Sequence, residues 1–457
     1  MTSRPNKIVF FLLCTTVVMT TLVYGTVHQP IIALFYALMV GMVIIWAADS
    51  FINGTVRFSG NLLQIPLFLL GVFGIIQVIP FGTISERAGI SGIPRTLSID
   101  PFSTETTAIH ILALSAFFAL SLAYINSAER LRRVMSVLTI FGFIYAFYAI
   151  LQSVLSPDRI YGIYKPPVAT PFGSFVNRND FGATIEMVTS LALGAIFTGS
   201  VRGDKKMLYL VAVGLMATSL LLSGSRGGLI AFVAEIILLV ILTSGTKGRK
   251  DILLKAALSS LLVMAAVGGA VFVGGDTSLS RFSDAANSDN LSSTRAQIWS
   301  VSVKVIADQM PFGAGLGAFG QAYTKFDPAG GALRVEQAHN DYLQIVADAG
   351  VVGLILGVCF LFLFVREVSR NVRVTNTFRR GIAAGAAAGC FAILVHSIFD
   401  FVLHITAISV MFITLMAMLV ASGRKYADDI AELGPHKVKK RGSASVTSIE
   451  ERQRRGV

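Results

Sequence analysis

Charge is scarce in this sequence. Of 457 residues, 14% are Asp, Glu, Lys or Arg and 54% are hydrophobic, with a mean hydropathy of +0.70. Soluble domains carry roughly 25% charged residues, so a soluble globular domain is excluded. Cysteine is scarcer still: Cys14, Cys359 and Cys390 all fall in apolar stretches. That excludes a disulfide framework or a CxxC metal site and leaves them as packing residues. No repeat of roughly 20 to 50 residues is present.

What fills the chain instead is apolar runs long enough to cross roughly 30 Å of hydrocarbon. Twelve are readable, at 8–24, 31–48, 62–79, 108–125, 134–154, 181–200, 207–223, 229–243, 253–273, 350–365, 382–399 and 405–421. The expected fold is an all-α polytopic membrane protein of about twelve transmembrane helices with one large loop. Four regions follow: helices one to nine over 1–273, the loop over 274–349, helices ten to twelve over 350–422, and a mostly disordered tail over 423–457, polar and mixed in charge. Arg4 and Lys7 before the first run, with no small-residue cleavage chemistry after it, suit a retained signal anchor.

Net charge is +12 and the sequence pI is about 9.7. Nucleic-acid binding would require a continuous basic stripe, but the basic residues are spread over alternate short loops, among them Arg130, Arg132, Arg133, Lys205, Lys206, Arg379 and Arg380. The positive-inside rule then places those loops and both termini in the cytoplasm, and the large loop on the opposite face.

That loop is where polar chemistry has room. Residues 274–293 read as irregular. From Thr294, helical spacing puts Ile298, Trp299, Val303 and Ile306 on one face, for the membrane surface or the bundle, with Ser293 or Thr294 as cap. A formal G-x-G-x-x-G runs from Gly315 to Gly320, but no strand precedes it, so the glycines read as a close-packing turn rather than a nucleotide loop. Residues 337–349 are expected to continue as helix into the tenth span, with His339, Leu343, Val346, Gly350 and Gly353 on one face. His339 would then sit in water beside the membrane.

The same face carries isolated cations at helix ends: Arg178 in FVNRND, Arg226 in SGSRGG and Arg295 at the head of the surface helix. A single such arginine can snorkel to headgroups. Three beside a histidine suit phosphate oxygens, with glycines that let backbone N–H groups approach the same anion. Inside the bundle, Glu186, Glu235 and Asp400 are costly in lipid and expected to face other helices. Glu186 could hold an arginine or pair with a neighbouring helix. His396, Asp400 and His404 could form a second polar shell or a proton relay.

These residues carry a resemblance. His339-Asn340, nine residues, then Gly350-Val351-Val352-Gly353 matches the H-[NSQ]-x9-G-x-x-[GTY] pattern of bacterial O-antigen ligases. The strings FVNRNDFGATIEM, LLSGSRGGLIAF, STRAQIWSVSVKVI, PFGAGLGAF and AHNDYLQIVADAGVVG are similar to the shared region of the O-antigen ligase and polymerase superfamily, from Pro171 to Leu356. The resemblance implies a metal-independent, inverting membrane glycosyltransferase of GT-C type, with no cofactor. It would take a glycan from undecaprenyl diphosphate at the periplasmic face of the inner membrane. The acceptor would be a lipid A-core sugar in a ligase or another lipid-linked repeat unit in a polymerase. Position by position, His339 matches the essential histidine, and Arg226 and Arg295 the arginines on the diphosphate. Arg178 joins them as donor-binding, with Asn340, Gly350, Gly353, Glu186 and Asp400 in support. The partners implied are the lipid-linked donor, the glycan acceptor and membrane lipids, with no nucleic acid.

The chemistry fits the residue types. An acceptor hydroxyl is a poor nucleophile that a base helps, and histidine changes charge near neutral pH. A departing diphosphate builds negative charge that preorganised guanidiniums stabilise. The rival class is a secondary transporter, which would gather polar groups and broken helices at the midplane, often in two related halves. This chain gathers them at one set of helix ends.

Overall fold

The computed structural model describes residues 3–84, 91–167, 169–201, 203–244, 249–287, 289–332 and 334–424. Side chains are described for these except 84, 249–250, 262 and 273–294. The expected tail lies mostly outside this range. The chain is an all-α polytopic membrane protein: among the described residues, ten helices are long and apolar enough to cross a membrane, and two shorter apolar helices, Leu62–Val78 and Thr406–Ser422, stand at the third and twelfth expected positions.

In chain order the helices are α1 (Arg4–Leu22), α2 (Gln29–Asn53), α3 (Ile65–Val78), α4 (Pro101–Tyr124), α5 (Ala128–Leu155), α6 (Arg178–Thr198), α7 (Asp204–Ser223), α8 (Arg226–Ser244), α9 (Arg249–Asn287), α10 (Asp289–Gln309), α11 (Phe319–Thr324), α12 (Asp341–Asn371), α13 (Thr377–His396) and α14 (Thr406–Ser422). A two-residue antiparallel ladder pairs Thr83 with Pro94 and Ile84 with Ile93.

Polar helix starts were underestimated by hydropathy. Helix α4 begins seven residues before its apolar run, because Asp100 caps Ser103 N and Pro101 stands in the first turn, both start signals independent of hydrophobicity. Ser127 does the same for α5. The bundle centre is α6 against α13. Small residues let these backbones meet: a Cβ at Gly385 would lie 2.7 Å from the Ser190 carbonyl oxygen. All of the α6 apolar window is buried, against 17% of that of α2, so α2 flanks the bundle and α6 runs through it.

Three expectations about the large loop are corrected. Residues 274–287 are not irregular but continue α9; no proline interrupts them, and a helix once nucleated gains a hydrogen bond per added residue. Helix α10 is under way by Asp289, ahead of the expected cap at Ser293 or Thr294. Its buried face is Ile298, Val301, Ser302 and Val305, while Val303 is 56% exposed. The face is offset because α10 packs not on a flat surface but against Phe319, Tyr323 and Ala347, in a small core of its own.

Candidate active site

His339 is not helical. Its φ is +50°, and α12 starts two residues later, with the Asn340 side-chain oxygen accepting from Tyr342 N and Leu343 N, each at 3.0 Å. The left-handed backbone at 339 and the cap at 340 turn the imidazole off the helix axis. The expected common face of His339, Leu343, Val346, Gly350 and Gly353 therefore does not exist, and α12 is broken again at Gly350, whose φ and ψ are +56° and −139°. The break at Gly350 takes the loop after α10: Val351 N donates to the Pro311 carbonyl at 2.9 Å. Gly353 lies over the Ile345 carbonyl and Ala349 of its own helix.

The stretch from Gly315 to Gly320 is that loop running into α11. Its N–H groups are used inside the protein: Gly315 N donates to the Asp348 carbonyl at 3.0 Å, Leu316 N to Gln77 Oε1 at 3.1 Å, and Gly317 N to Asp348 Oδ2 at 3.1 Å. A loop whose donors are spent this way is a brace. It fixes the first part of α12, where Gln344 accepts from Ala338 N at 2.7 Å and so holds the residue next to His339.

His339 leans on Asp400, in the connection between α13 and α14. Its Nδ1 is 3.0 Å from Asp400 Oδ1, and the Phe401 ring meets it edge-on at 4.9 Å between centroids. The second carboxylate oxygen, Oδ2, takes the Asn179 amide at 2.5 Å and lies 3.6 Å from Arg295 Nη2. One carboxylate thus ties the histidine to an arginine and to α6. Burial would raise the Asp400 carboxyl, yet the His339 hydrogen bond and the charges of His339, Arg295 and His396 hold it below its ordinary value. With Nδ1 engaged, His339 offers Nε2, and its side chain is 34% exposed. An oriented imidazole with one nitrogen open is the arrangement of a general base.

The other arginines close on the same end. Arg178 opens α6 beside Asn179, and its guanidinium reaches the α7–α8 turn, where a Cβ on Gly224 would be 3.3 Å from Nη1. Arg226 follows that turn as the first residue of α8 and is exposed. Beneath it, Gly227 and Gly228 leave room for a buried pair, Glu186 Oε1 and His396 Nδ1 at 3.1 Å. Glu186 therefore pairs with a neighbouring helix, the second of its two expected roles. Glu235 is fully buried on α8.

Two participants escaped the sequence reading. Asn179 sits inside the FVNRND string beside the noticed arginine, and Asp341 directly follows His339-Asn340. Polar residues at helix starts were the available signal. Asp341 accepts from Ser397 Oγ at 2.7 Å and pairs with His404 Nδ1 at 2.8 Å, while Asn340 Nδ2 donates to the Ile398 carbonyl at 3.0 Å. These bonds pin the His339 turn to the α13–α14 connection. An Asn340→Ala protein is expected to lose about 1 kcal/mol through the cap alone, and its transfer rate should fall further than that of Asn340→Asp, which keeps the capping oxygen; detergent melting curves and rates check both.

Residues 211–358 match the family model described as O-antigen ligase, which supports placing the chain in the O-antigen ligase and polymerase superfamily. The match takes in Arg226, Arg295, His339, Asn340, Gly350 and Gly353, and supports a glycosyltransferase of O-antigen ligase type acting on lipid-linked glycans. No curated protein matches the chain.

Proposed function

We propose that the protein transfers a glycan from undecaprenyl diphosphate to an acceptor sugar, in the manner of an O-antigen ligase, at the periplasmic face of the inner membrane with both termini cytoplasmic. The observation that carries this is the Asp400 carboxylate, which holds His339 with one oxygen and faces Arg295 with the other. A base and a cation on one carboxylate fit a displacement in which a proton leaves as negative charge departs.

In that step the acceptor oxygen bonds to the anomeric carbon as its proton passes to His339 Nε2. The bond from that carbon to the diphosphate oxygen breaks, and its electron pair leaves with the diphosphate. Attack opposite the leaving group inverts the anomeric centre. Arg226, Arg295 and Arg178 hold the diphosphate, and their fixed charge does the work a divalent cation does elsewhere. The rate is therefore expected to persist in chelator. Asn340 caps the turn that carries the base, with Gly350 and Gly353 in support further along α12.

The direct test is transfer in proteoliposomes from a labelled lipid-linked donor. Wild-type protein without donor-dependent transfer would overturn the reading, and a substrate gradient moved without transfer would favour the transporter. The acceptor is read from a deletion strain. Core lacking all O-chain marks a ligase, and core with a single repeat marks the alternative, a polymerase joining lipid-linked units. Loss of secreted polymer alone marks exopolysaccharide polymerisation. Arg295→Lys should lower kcat about tenfold or more, because an ammonium does not replace the planar fork. Kinetics equal to wild type would remove Arg295 from the diphosphate.

A further inference from the structure

The site contains a second imidazole built on the same plan as the first. His404, in the short turn before α14, engages Asp341 through Nδ1 at 2.8 Å, as His339 engages Asp400. The pairing is crossed in sequence: 339 meets 400, and 341 meets 404. Between the two imidazoles stands Phe401, whose ring centroid is 4.9 Å from that of His339 and 6.4 Å from that of His404. The His404 side chain is 33% exposed, and among the described residues its Nε2 has no hydrogen-bond partner.

The two carboxylates are used differently. Asp400 divides its oxygens between His339 on one side and Arg295 and Asn179 on the other. Asp341 gives Oδ1 to His404, while Oδ2 takes neutral donors, Ser397 Oγ at 2.7 Å and Leu403 N at 3.2 Å. In the first arrangement the carboxylate is shared with a guanidinium. The second favours an imidazolium. Burial opposes that charge, but the Asp341 hydrogen bond and the charges of Asp341 and Asp348 raise the His404 titration above its ordinary value. The other titratable neighbour is His110 from α4, which is hydrogen-bonded to Tyr36 of α2 at 3.1 Å. Helix α2 itself is largely uncovered, so a glycolipid in the bilayer can reach this side of the bundle.

We infer that His404 is a phosphate contact for the acceptor: its Nε2 holds a phosphate of the acceptor glycolipid while a nearby sugar hydroxyl is presented to His339. The inference rests on the transfer reaction proposed above. The donor diphosphate has the arginines grouped around Asp400 and the α7–α8 turn. His404 belongs to the other carboxylate, across Phe401, where one substrate's phosphate can be held apart from the leaving group. Both acceptor classes carry the required chemistry, as phosphates on a lipid A-core or as the diphosphate of a second lipid-linked unit.

The test compares acceptors in proteoliposomes holding the full chain. One arm uses lipid A-core with its phosphates intact or enzymatically removed. The other uses a lipid-linked repeat unit, or the same glycan on a neutral lipid. In one of the two arms, wild-type protein should favour the phosphorylated acceptor by about tenfold to a hundredfold in kcat/KM, the value of one hydrogen bond to a charged group. The arm showing the preference identifies the acceptor.

His404→Gln should lose that preference. Wild type itself should lose it as pH rises through the raised imidazole titration, since the charged form exists below that value and not above it. Taking the ratio of two acceptors cancels any pH effect on the shared chemical step, and this arm does not depend on a variant that folds. A preference that survives in His404→Gln, is absent from wild type, or is flat with pH overturns the inference while leaving the transfer reaction standing. Wild-type protein that transfers to no acceptor overturns both.

Discussion

Replacing His339 with alanine is expected to lower donor-dependent glycan transfer about a hundredfold to ten-thousandfold, the range a positioned general base contributes, while the amount of folded protein stays at the wild-type level. The second half of that expectation follows from how the imidazole is held. It is part-exposed, it caps nothing, and among the described residues its one hydrogen bond goes to Asp400. That carboxylate keeps Arg295, Asn179 and the Phe401 N–H at 3.0 Å when the imidazole is gone. Donor affinity should change little, because Arg178, Arg226 and Arg295 remain. The loss should therefore fall on kcat rather than on KM for the donor.

Asp400→Asn sharpens the same argument. It removes the charge that orients His339 and faces Arg295, so kcat should fall and donor KM should rise. Groups that act as a unit are not additive. The double variant His339→Ala, Asp400→Asn should thus be no slower in kcat than His339→Ala alone. Initial rates from labelled donor, normalised to protein by immunoblot, measure all three. Wild-type rates from His339→Ala would sink the assignment of the base.

How far the sequence carried this site can be judged residue by residue. The helices were legible because lipid leaves the chain few choices: twelve apolar runs became, among the described residues, ten long and two short apolar helices. Arg178, Arg226 and His339 were legible as polar residues at helix ends, and Arg295 as an isolated cation, although it stands inside α10 rather than at its head. Asp400 was legible as a supporting residue, but not as the anchor shared by His339 and Arg295. Asp400 joins elements far apart in sequence, and no local pattern encodes that Oδ1 meets residue 339 while Oδ2 meets residues 179 and 295. The backbone at His339 was misread for a different reason. Spacing favoured a continuous helix through 337–349, yet Asn340 followed by Asp341 is a cap and an acidic first turn, a start signal that outweighs apolar periodicity in so short a window. The glycines were legible as close-packing residues but not as a break, since the partner of Gly350 is a loop some forty positions earlier.

That break supports the second large effect. Gly350→Ala should lower the melting temperature in detergent and remove most transfer, though residue 350 is remote from the reacting atoms. At φ +56° and ψ −139° the backbone occupies a region essentially confined to glycine, where another residue costs about 1–3 kcal/mol. A Cβ there would also overlap the Pro311 carbonyl oxygen and come within 2.7 Å of Gly313 N. Relief requires the loop to move, at about another 1–3 kcal/mol.

The loop cannot move alone. Through Gly315 and Gly317 it grips Asp348, and Asp348 holds Gln344 at 3.1 Å. Gln344 in turn holds Ala338, next to His339. A displaced loop therefore reaches the base through three hydrogen-bonded steps. Gly357→Ala is the matched control in the same helix: nothing lies within 4 Å of a Cβ there, and alanine is the better helix former by about 1 kcal/mol. It should melt at or above the wild-type temperature with full transfer. A Gly350→Ala protein that behaved like Gly357→Ala would show that the break in α12 does not set the position of His339.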